Sequence, residues 1–369
     1  MERAYARANP DSDRAAGLIE NERDLVGELT DSGGLSERGA LGLIGVARST
    51  WHYRRHPRPG VPAPVPHADR GQPQSLTDAE RALVAGRILA AWQAGESVDQ
   101  AYATAWDEGV YAGSQRTWWR IAATLDQGQR PGGPGTRCAA GDRDRPAPQL
   151  LATGPNQVWS WDITDFKGPY SRQVFKVYSV IDIYSRRIVA YRVEDREADR
   201  LAVQMFAAAF TAAGTAPGYV HADNGAVMRS NALAGFLAGH GVELTHNRPY
   251  VSNDNPYSES EFRTLKTRPN YPKVFADLPS ARDYVDAHVV WHNTTHRHGG
   301  IALFTPDQLH DGTWIQAHRR RHTVQQAYYL AHPARYRHRV PTTAMPPAWS
   351  GINHPGPEPE QHRNWLQTG

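Results

Sequence analysis

The chain has 369 residues, of which 40% are hydrophobic and 21% charged, with a net charge of +3. That length allows two or three domains and at least one sizeable core. No window holds about 18 consecutive apolar residues, so no membrane span is expected, and the polar start "MERAYARANPDSDR" lacks the apolar run of a secretion signal. The single cysteine, Cys138, excludes an internal disulfide and any zinc site that needs two Cys, and it fits a reducing compartment. The overall charge does not by itself argue for a nucleic-acid partner. Two runs, "YRRHPR" (53–58) and "HRRRH" (318–322), concentrate cations locally, and a solvated helix face accounts for either run equally well.

Pro/Gly-rich breaks at 56–73 and 128–148 divide the chain, and the segment beyond about 340 is again rich in Pro and Gly and is expected to be irregular. Residues 13–56 read as helical. "LSERGALGLIGVARSTWHYRR" holds two short amphipathic pieces around Gly45, with a small turn and a Ser/Thr start to the second piece, as a helix-turn-helix requires. Residues 77–126 repeat this logic. "TDAERALVAGRILAAWQAG" opens on a capping box of Thr77 and Glu80, "SVDQAYATAWDEG" follows, and "GSQRTWWRIAATL" starts a last helix at Ser114. That helix offers Gln115, Arg116 and Arg120, the residue types a recognition helix presents to a major groove. A pair of helical protein-contact modules is the competing reading.

From 158 the pattern changes. "VWSWDITDF", "VFKVYSVIDIYS" and "RIVAYRVE" are three β-like runs parted by short turns. A helix "ADRLAVQMFAAAFTAAG" ending at Gly214 comes next, then a strand "GYVHADN", a helix "NALAGFLAGHG", a strand "VELTHN", and helices "SESEFRTLKTR" and "SARDYVDAHVVWHNTTH". Three antiparallel strands followed by alternating helix and strand predict an α/β fold: a ribonuclease H-like mixed five-stranded sheet, preceded by two small all-α helix-turn-helix regions. The expected boundaries are a helical region 1–56, a Pro-rich linker 57–74, a second helical region 75–128, a linker 129–149, the sheet-bearing core 150–310 and a basic extension 311–369.

Three acids stand out on this frame. Asp162 lies in the first strand, Asp223 ends the fourth, and Glu259 opens a helix. In this architecture the first and fourth strands are neighbours, and the helix brings the third acid from above. Three converging carboxylates repel one another unless a cation lies between them. Oxygen ligands suit Mg²⁺ or Mn²⁺, and two such ions activate the attacking oxygen and stabilise the leaving oxygen of a phosphodiester. Each acid has a rival. Asp165 stands three residues after Asp162 and so faces the other side of the strand. Glu261 diverges from Glu259 by roughly 200° on a helix. Asp182 reads better as a turn acid than as a ligand. Arg263 and Lys266 follow Glu259 at i+4 and i+7, where a cationic row would suit a DNA backbone; an intrahelical Glu259–Arg263 pair is the simpler alternative.

The segments "PNQVWSWDIT", "YSVIDIYSRRIVAYRV", "HADNG", "THNRPYVSNDNPYSESEFRTLKTRPNYP" and "WHNTTHRHGGIALFTPDQLH" resemble the DDE transposases of insertion-sequence family three, in the product of their downstream frame, and more distantly retroviral integrases. The likeness covers roughly residues 150–340. Asp254, Asn255 and Glu259 match the family's third-acid signature, and the 35 residues between Asp223 and Glu259 match its interval. Asn224 departs from the Arg that more often follows the second acid. The single cysteine rules out the His/Cys zinc module of retroviral integrases, and no heptad run matches the leucine zipper that accompanies full-length transposases of this family.

The resemblance implies an integrase-like catalytic core over 150–310 that cuts the ends of its own element and joins them to target DNA. Asp162, Asp223 and Glu259 are then the catalytic, metal-binding acids, with two Mg²⁺ (or Mn²⁺) ions. Implied partners are terminal inverted repeats, target DNA, further copies of the chain on DNA and an upstream-frame helix-turn-helix/leucine-zipper protein. A bacterial cytoplasmic, nucleoid-associated location follows. A ribonuclease H-type nuclease and a domesticated DNA-binding regulator on an inactive core are the alternatives.

Overall fold

A computed structural model describes residues 13–56, 74–125, 148–248, 254–337 and 339–356. It divides into two compact units at residue 72.

In the first unit, helix α1 (Asp13–Asp31) precedes α2 (Glu37–Leu43) and α3 (Arg48–Arg55). The Ser36 hydroxyl caps α2 by accepting the Gly39 amide, and Gly45, at φ +69°, makes the left-handed turn that separates α2 from α3. Val26, Ala40, Leu41 and Trp51 close a small core. Helices therefore stand on both sides of Gly45, where the sequence reads as two helical pieces. Within the 53–58 cationic run, Arg54 pairs with Glu22 and Arg55 with Glu37. Positions 57 and 58 lie outside the described residues.

The second unit begins with α4 (Asp78–Gln93), α5 (Val98–Asp107) and α6 (Gln115–Ala122). The Thr77/Glu80 capping box forms as expected. Val84, Ile88, Trp92, Tyr102, Trp106 and Trp118 pack together between these helices. The predicted linker 129–149 lies outside the described residues except for its last two positions.

The sheet is built from β2 (Val158–Lys167), β3 (Val174–Asp182), β4 (Ile188–Glu194), β5 (Tyr219–Ala222) and β6 (Glu243–His246), in the order β4-β3-β2-β5-β6. β2, β3 and β4 run antiparallel, whereas β5 and β6 run parallel to β2. This is the ribonuclease H-like arrangement that the element order predicts. Helices cover both faces, so β3 is apolar along most of its length. α7 (Asp199–Ala213) and α8 (Asn231–Gly239) pack on one face, against Trp159, Trp161 and Tyr178. Gly214, at φ +69°, ends α7 as expected. α9 (Pro256–Thr267) and α10 (Leu278–Thr294) cover the other face, against Phe166, Phe175 and Val177.

Beyond the sheet come α11 (Pro306–Asp311) and α12 (Trp314–Ala331). Two features correct the sequence. The segment expected to be irregular beyond 340 contains a strand, β7 (Ser350–Ile352), which pairs antiparallel with β1 (Leu150–Ala152). These strands are three residues each, too short to show a period. The "HRRRH" run is also not a uniformly solvated face. Arg321 is only 1% exposed; its guanidinium donates to both Asp107 oxygens, at 2.5 and 3.1 Å, and to the carbonyls of Ala302 and Leu303.

Asp107 also pairs with Arg297 at 2.8 Å, the Trp106 indole donates to the Arg321 carbonyl, and Glu80 pairs with Arg335. The sequence suggests separate regions at 75–128 and 311–369. In the structure α4–α6 and α12 belong to one unit, joined by these buried contacts.

Candidate active site

Side-chain alternation decides which acids meet. On β2, Trp159 and Trp161 face α7, so Ser160, Asp162, Thr164 and Phe166 face α9. On β5, Val220 and Ala222 join the α7 core, so His221 and the following Asp223 face α9 as well. Trp161 is in register with Ala222 on the parallel neighbour, which puts Asp162, in the middle of β2, beside Asp223, just past the end of β5. Asp165 points the other way and pairs with Lys176 at 2.8 Å. Asp182 is a turn acid. One of its oxygens accepts the Tyr184 and Ser185 amides and the Ser185 hydroxyl, and the other accepts the Asn156 amide.

The third acid arrives on α9, whose first turn is fixed by a buried polar network. The Asn255 carboxamide accepts the Ser160 hydroxyl and donates to the Trp161 carbonyl at 3.3 Å, and the Ser160 and Ser258 hydroxyls lie 2.8 Å apart. Asp254 has no exposure. It accepts the Arg248 amide and guanidinium and the Asn353 side chain, each at 2.8–2.9 Å. Its own carbonyl accepts His221 Nε2–H at 2.9 Å. Pro256 occupies the first helical turn, where its missing amide hydrogen costs nothing. Glu259 then stands exposed one turn into the helix, while Glu261 turns inward and is 4% exposed. The two glutamates diverge, as their spacing requires.

Electrostatics mark Asp162. Burial first, then the negative charges of Asp223, Glu259 and Glu261, push its carboxyl up to about 7 against the opposing hydrogen bond from the Ile163 amide. Burial likewise raises Glu259, opposed by Arg263. Among the described residues, no set of three or more His, Cys, Asp or Glu side chains converges closely enough to hold an ion as they stand. The donor chemistry still fits a hard divalent cation. Asp162 and Asp223 present carboxylate oxygens on adjacent strands, and the uncompensated repulsion felt by Asp162 is what a cation between them would relieve. Closure by Glu259 would complete the set.

Asp223 is held by its neighbours: Oδ1 accepts the Gly225 amide at 2.7 Å, and its carbonyl accepts His246 Nδ1–H at 2.8 Å. Asn224 donates to the Asn247 carbonyl at 2.8 Å, so it ties the strand-end loop to β6.

The cations named from sequence are placed unequally. Arg263 is exposed, one turn from Glu259. Lys266 is half-buried and reaches back to the Thr164 hydroxyl of β2 at 2.5 Å; burial lowers its ammonium, against the raising influence of Asp165, Asp162 and Glu261. It therefore lies beside the acids rather than in a row with Arg263. On α6, Arg116 and Arg120 are exposed, Arg120 donating to Thr117. Gln115 donates to Asp99 on α5 at 2.8 Å.

Sequence reasoning did not assign Ser160, Ser258, His221, Arg248 or Asn353 to the site. One signal was available: a serine between two tryptophans in "VWSW" is out of place in an apolar strand unless it is hydrogen-bonded. Also unassigned were two buried histidines, His288 and His292, and two half-buried ones, His296 and His298. His288, His292, His296 and His298 are pushed down by burial to about 3, 4, 2 and 3. Burial raises Glu261 to about 7, so its 3.5 Å contact with His288 joins two groups that burial drives neutral and is no firm ion pair.

The acids thus stand on a five-stranded ribonuclease H-like sheet, Asp162 within β2 and Asp223 just past the end of β5, with Glu259 on α9, which covers that face. Two models of the integrase core domain match here, one over residues 152–252 and one over 240–306. A transposase for insertion sequence element IS904 from Lactococcus lactis is 28% identical over 157 residues, which are 42% of this chain and 61% of that relative. An uncharacterized transposase-like protein from Haemophilus influenzae is 23% identical over 157 residues, covering 72% of its length. The integrase catalytic core domain of HTLV-2 in complex with magnesium is 18% identical, with a TM-score of 0.31, covering 42% of this chain and 97% of that one. The simian T-cell lymphotropic virus intasome is also 18% identical, with a TM-score of 0.35, covering 54% and 67%. The strand order β4-β3-β2-β5-β6 is that of the ribonuclease H-like fold. Residues 152–306 match models of the integrase core domain, and this part of the chain is similar in sequence to the insertion-sequence transposase.

Proposed function

We propose that the protein is a DDE transposase of insertion-sequence family three, which cleaves the ends of its own element and transfers them to target DNA. The observation that supports this reading is that Asp162 on β2 stands next to Asp223, just past β5, on the face that α9 covers. These three residues would hold two Mg²⁺ or Mn²⁺ ions. When bound, such ions activate an attacking oxygen and stabilise the leaving oxygen of a phosphodiester.

The chain's own groups supply the rest. The Asn255–Ser160 contact fixes the height of α9 over the strand ends. His246 and the Gly225 amide orient Asp223. Lys266 sets a cation beside Asp162, where it would offset the carboxylate charge of the acids. Arg263 would meet DNA backbone, and Arg116 and Arg120, with Gln115, would meet an element end. Water or a DNA 3′-hydroxyl would attack phosphorus in line, with no covalent protein intermediate. The proposed partners are the terminal inverted repeats, target DNA, further copies of the chain on DNA and an upstream-frame protein. The cytoplasm, at the nucleoid, is where such substrates lie. Among the described residues no helix is long and apolar enough to cross a membrane.

The test is a cleavage and strand-transfer assay on DNA flanking the gene, with and without Mg²⁺. Asp162→Asn, Asp223→Asn and Glu259→Gln should each abolish cleavage while end binding persists. Glu261→Gln should cleave. Cleavage that survives Glu259→Gln but not Glu261→Gln would overturn the assignment of the third acid. Binding without cleavage by the unmodified chain would favour a DNA-binding regulator instead.

A further inference from the structure

The chain from 312 to 357 contains six arginines and no aspartate or glutamate. Most of the described part of this stretch is α12 and the turn that follows it. Two of the six arginines are neutralised by acids from α4 and α5: Arg321 by Asp107 and Arg335 by Glu80. The other four are Arg319, Arg320, Arg337 and Arg339. All four are exposed, and among the described residues none is paired with an acidic side chain.

The helix geometry sorts these charges. Ala317, Arg321 and Gln325 are the buried stripe of α12. Gln316, Arg319, Arg320 and Thr323 lie at i, i+3, i+4 and i+7 on the opposite side, and all are exposed. The stripe is two turns long, polar and basic. Acids could have neutralised it from within the helix at i+3 or i+4, and none is present. The same helix is anchored rigidly: the buried Arg321–Asp107 pair, the Trp106-to-Arg321 hydrogen bond and the Gln325–Thr343 hydrogen bond hold its inner side. A fixed helix that presents Gln, Arg, Arg and Thr outward, with further arginines just past its end, is complementary in charge and shape to a duplex groove and its phosphates.

We infer that the outer face of α12, with Arg337 and Arg339, is a second duplex-DNA-binding surface, separate from α6. The choice of ligand rests on the proposed reading of the core as a DNA-processing enzyme. Arg319 and Arg320 contact phosphates, and Gln316 lies between them and the groove. The buried contacts that fix α12 on α5 make this surface and α6 parts of one rigid unit, so a duplex bound here is held at a set position relative to the helices that precede the core.

The experiment measures binding of the full chain to a short random-sequence duplex across a salt series, without divalent metal. Arg319→Ala/Arg320→Ala should weaken binding and flatten the slope of log affinity against log salt by about 1.8, since each lost phosphate contact removes about 0.9. Arg319→Glu/Arg320→Glu should weaken it further. Arg321→Lys, which alters only the buried stripe, should lower the melting temperature and leave the slope unchanged. An unchanged slope in the double alanine variant overturns the inference, and does so without touching the core assignment, because cleavage still depends on the acids. Loss of self-association with an unchanged slope assigns the face to a second copy of the chain and likewise overturns it. Absence of duplex binding by the unmodified chain overturns both this inference and the proposed function. A flattened slope in a chain that never cleaves supports the surface and sinks only the enzyme reading.

Discussion

Asn255 and Ser160 are joined by a buried hydrogen bond, so the residue four before Glu259 is tied to the residue two before Asp162. The Asp-Asn pair that precedes the third acid is thus a fastening. Asp254 is locked by Arg248 and Asn353, Asn255 is locked to β2, and α9 leaves that anchor with Glu259 on its exposed side.

Asn255→Ala should therefore act in two ways. It removes two buried hydrogen bonds, from the Ser160 hydroxyl and to the Trp161 carbonyl, which costs about 1–3 kcal/mol. It also frees the first turn of α9. Denaturant unfolding should show the loss, and Mg²⁺-dependent cleavage should fall well beyond it, with end binding retained. A folded Asn255→Ala protein that cleaves at the normal rate would refute the fastening role.

Asp162 gives a pH signature. Its folded carboxyl sits near 7, above the ordinary value of 3.8. A raised acid binds its proton more tightly in the folded state, so its contribution to stability falls as pH rises from about 4 to about 7. Asp162→Asn should then stabilise the metal-free protein at pH 8 by at most about 4 kcal/mol, an upper bound from three pKa units. The gain should vanish near pH 4. Adding Mg²⁺ should shrink it at pH 8, because the cation lowers the wild-type carboxyl. Calorimetric titration near pH 7 should show proton release on Mg²⁺ binding. A stability gain that ignores both pH and Mg²⁺ would contradict this account.

Four histidines of α10 and the turn after it act in the opposite sense. His288, His292, His296 and His298 are all depressed by burial below the ordinary 6.5. The unfolded chain takes up protons below that value before the folded chain does. Their contribution is fully present above about 6.5 and is lost as pH falls toward 4. The melting temperature should drop steeply across that window. His292→Gln keeps a donor for the Arg186 carbonyl that His292 Nε2–H now serves at 2.9 Å, and should flatten the dependence by about one proton. A flat profile in the unmodified protein would show that these rings are solvated.

Arg263 and Lys266 separate by their surroundings. Arg263→Ala should flatten the salt slope for duplex binding by about 0.9, the value for one phosphate contact. Lys266→Ala should leave that slope nearly unchanged, because its ammonium is bound to Thr164, and should instead slow cleavage. On α6, Arg116→Ala should weaken binding to an element end more than to random duplex, whereas Gln115→Ala should do little while Asp99 holds the amide. Equal salt slopes for the Arg263 and Lys266 variants would show that both reach the DNA path.

The sequence by itself determined the order of elements, and with it the sheet. Alternating runs with Val, Ile, Tyr and Trp made strands, Gly214 stopped α7, and the Thr77/Glu80 pair started α4, because these signals act over a few residues and need no distant partner. It also determined which acids share a side of the sheet, since alternation separates Asp162 from Asp165 and helical spacing separates Glu259 from Glu261. The tertiary structure decided what each polar group is bonded to. Arg321 and Arg320 are neighbours in one basic run, yet one is sealed against Asp107, 214 positions away, and the other faces solvent. Lys266 turns to Thr164, Gln115 to Asp99, and β7 to β1. Each of these depends on a partner brought close only when the chain folds. A buried charge or a three-residue strand persists only when such a partner compensates its lost hydration, and no local pattern in the sequence encodes that distance.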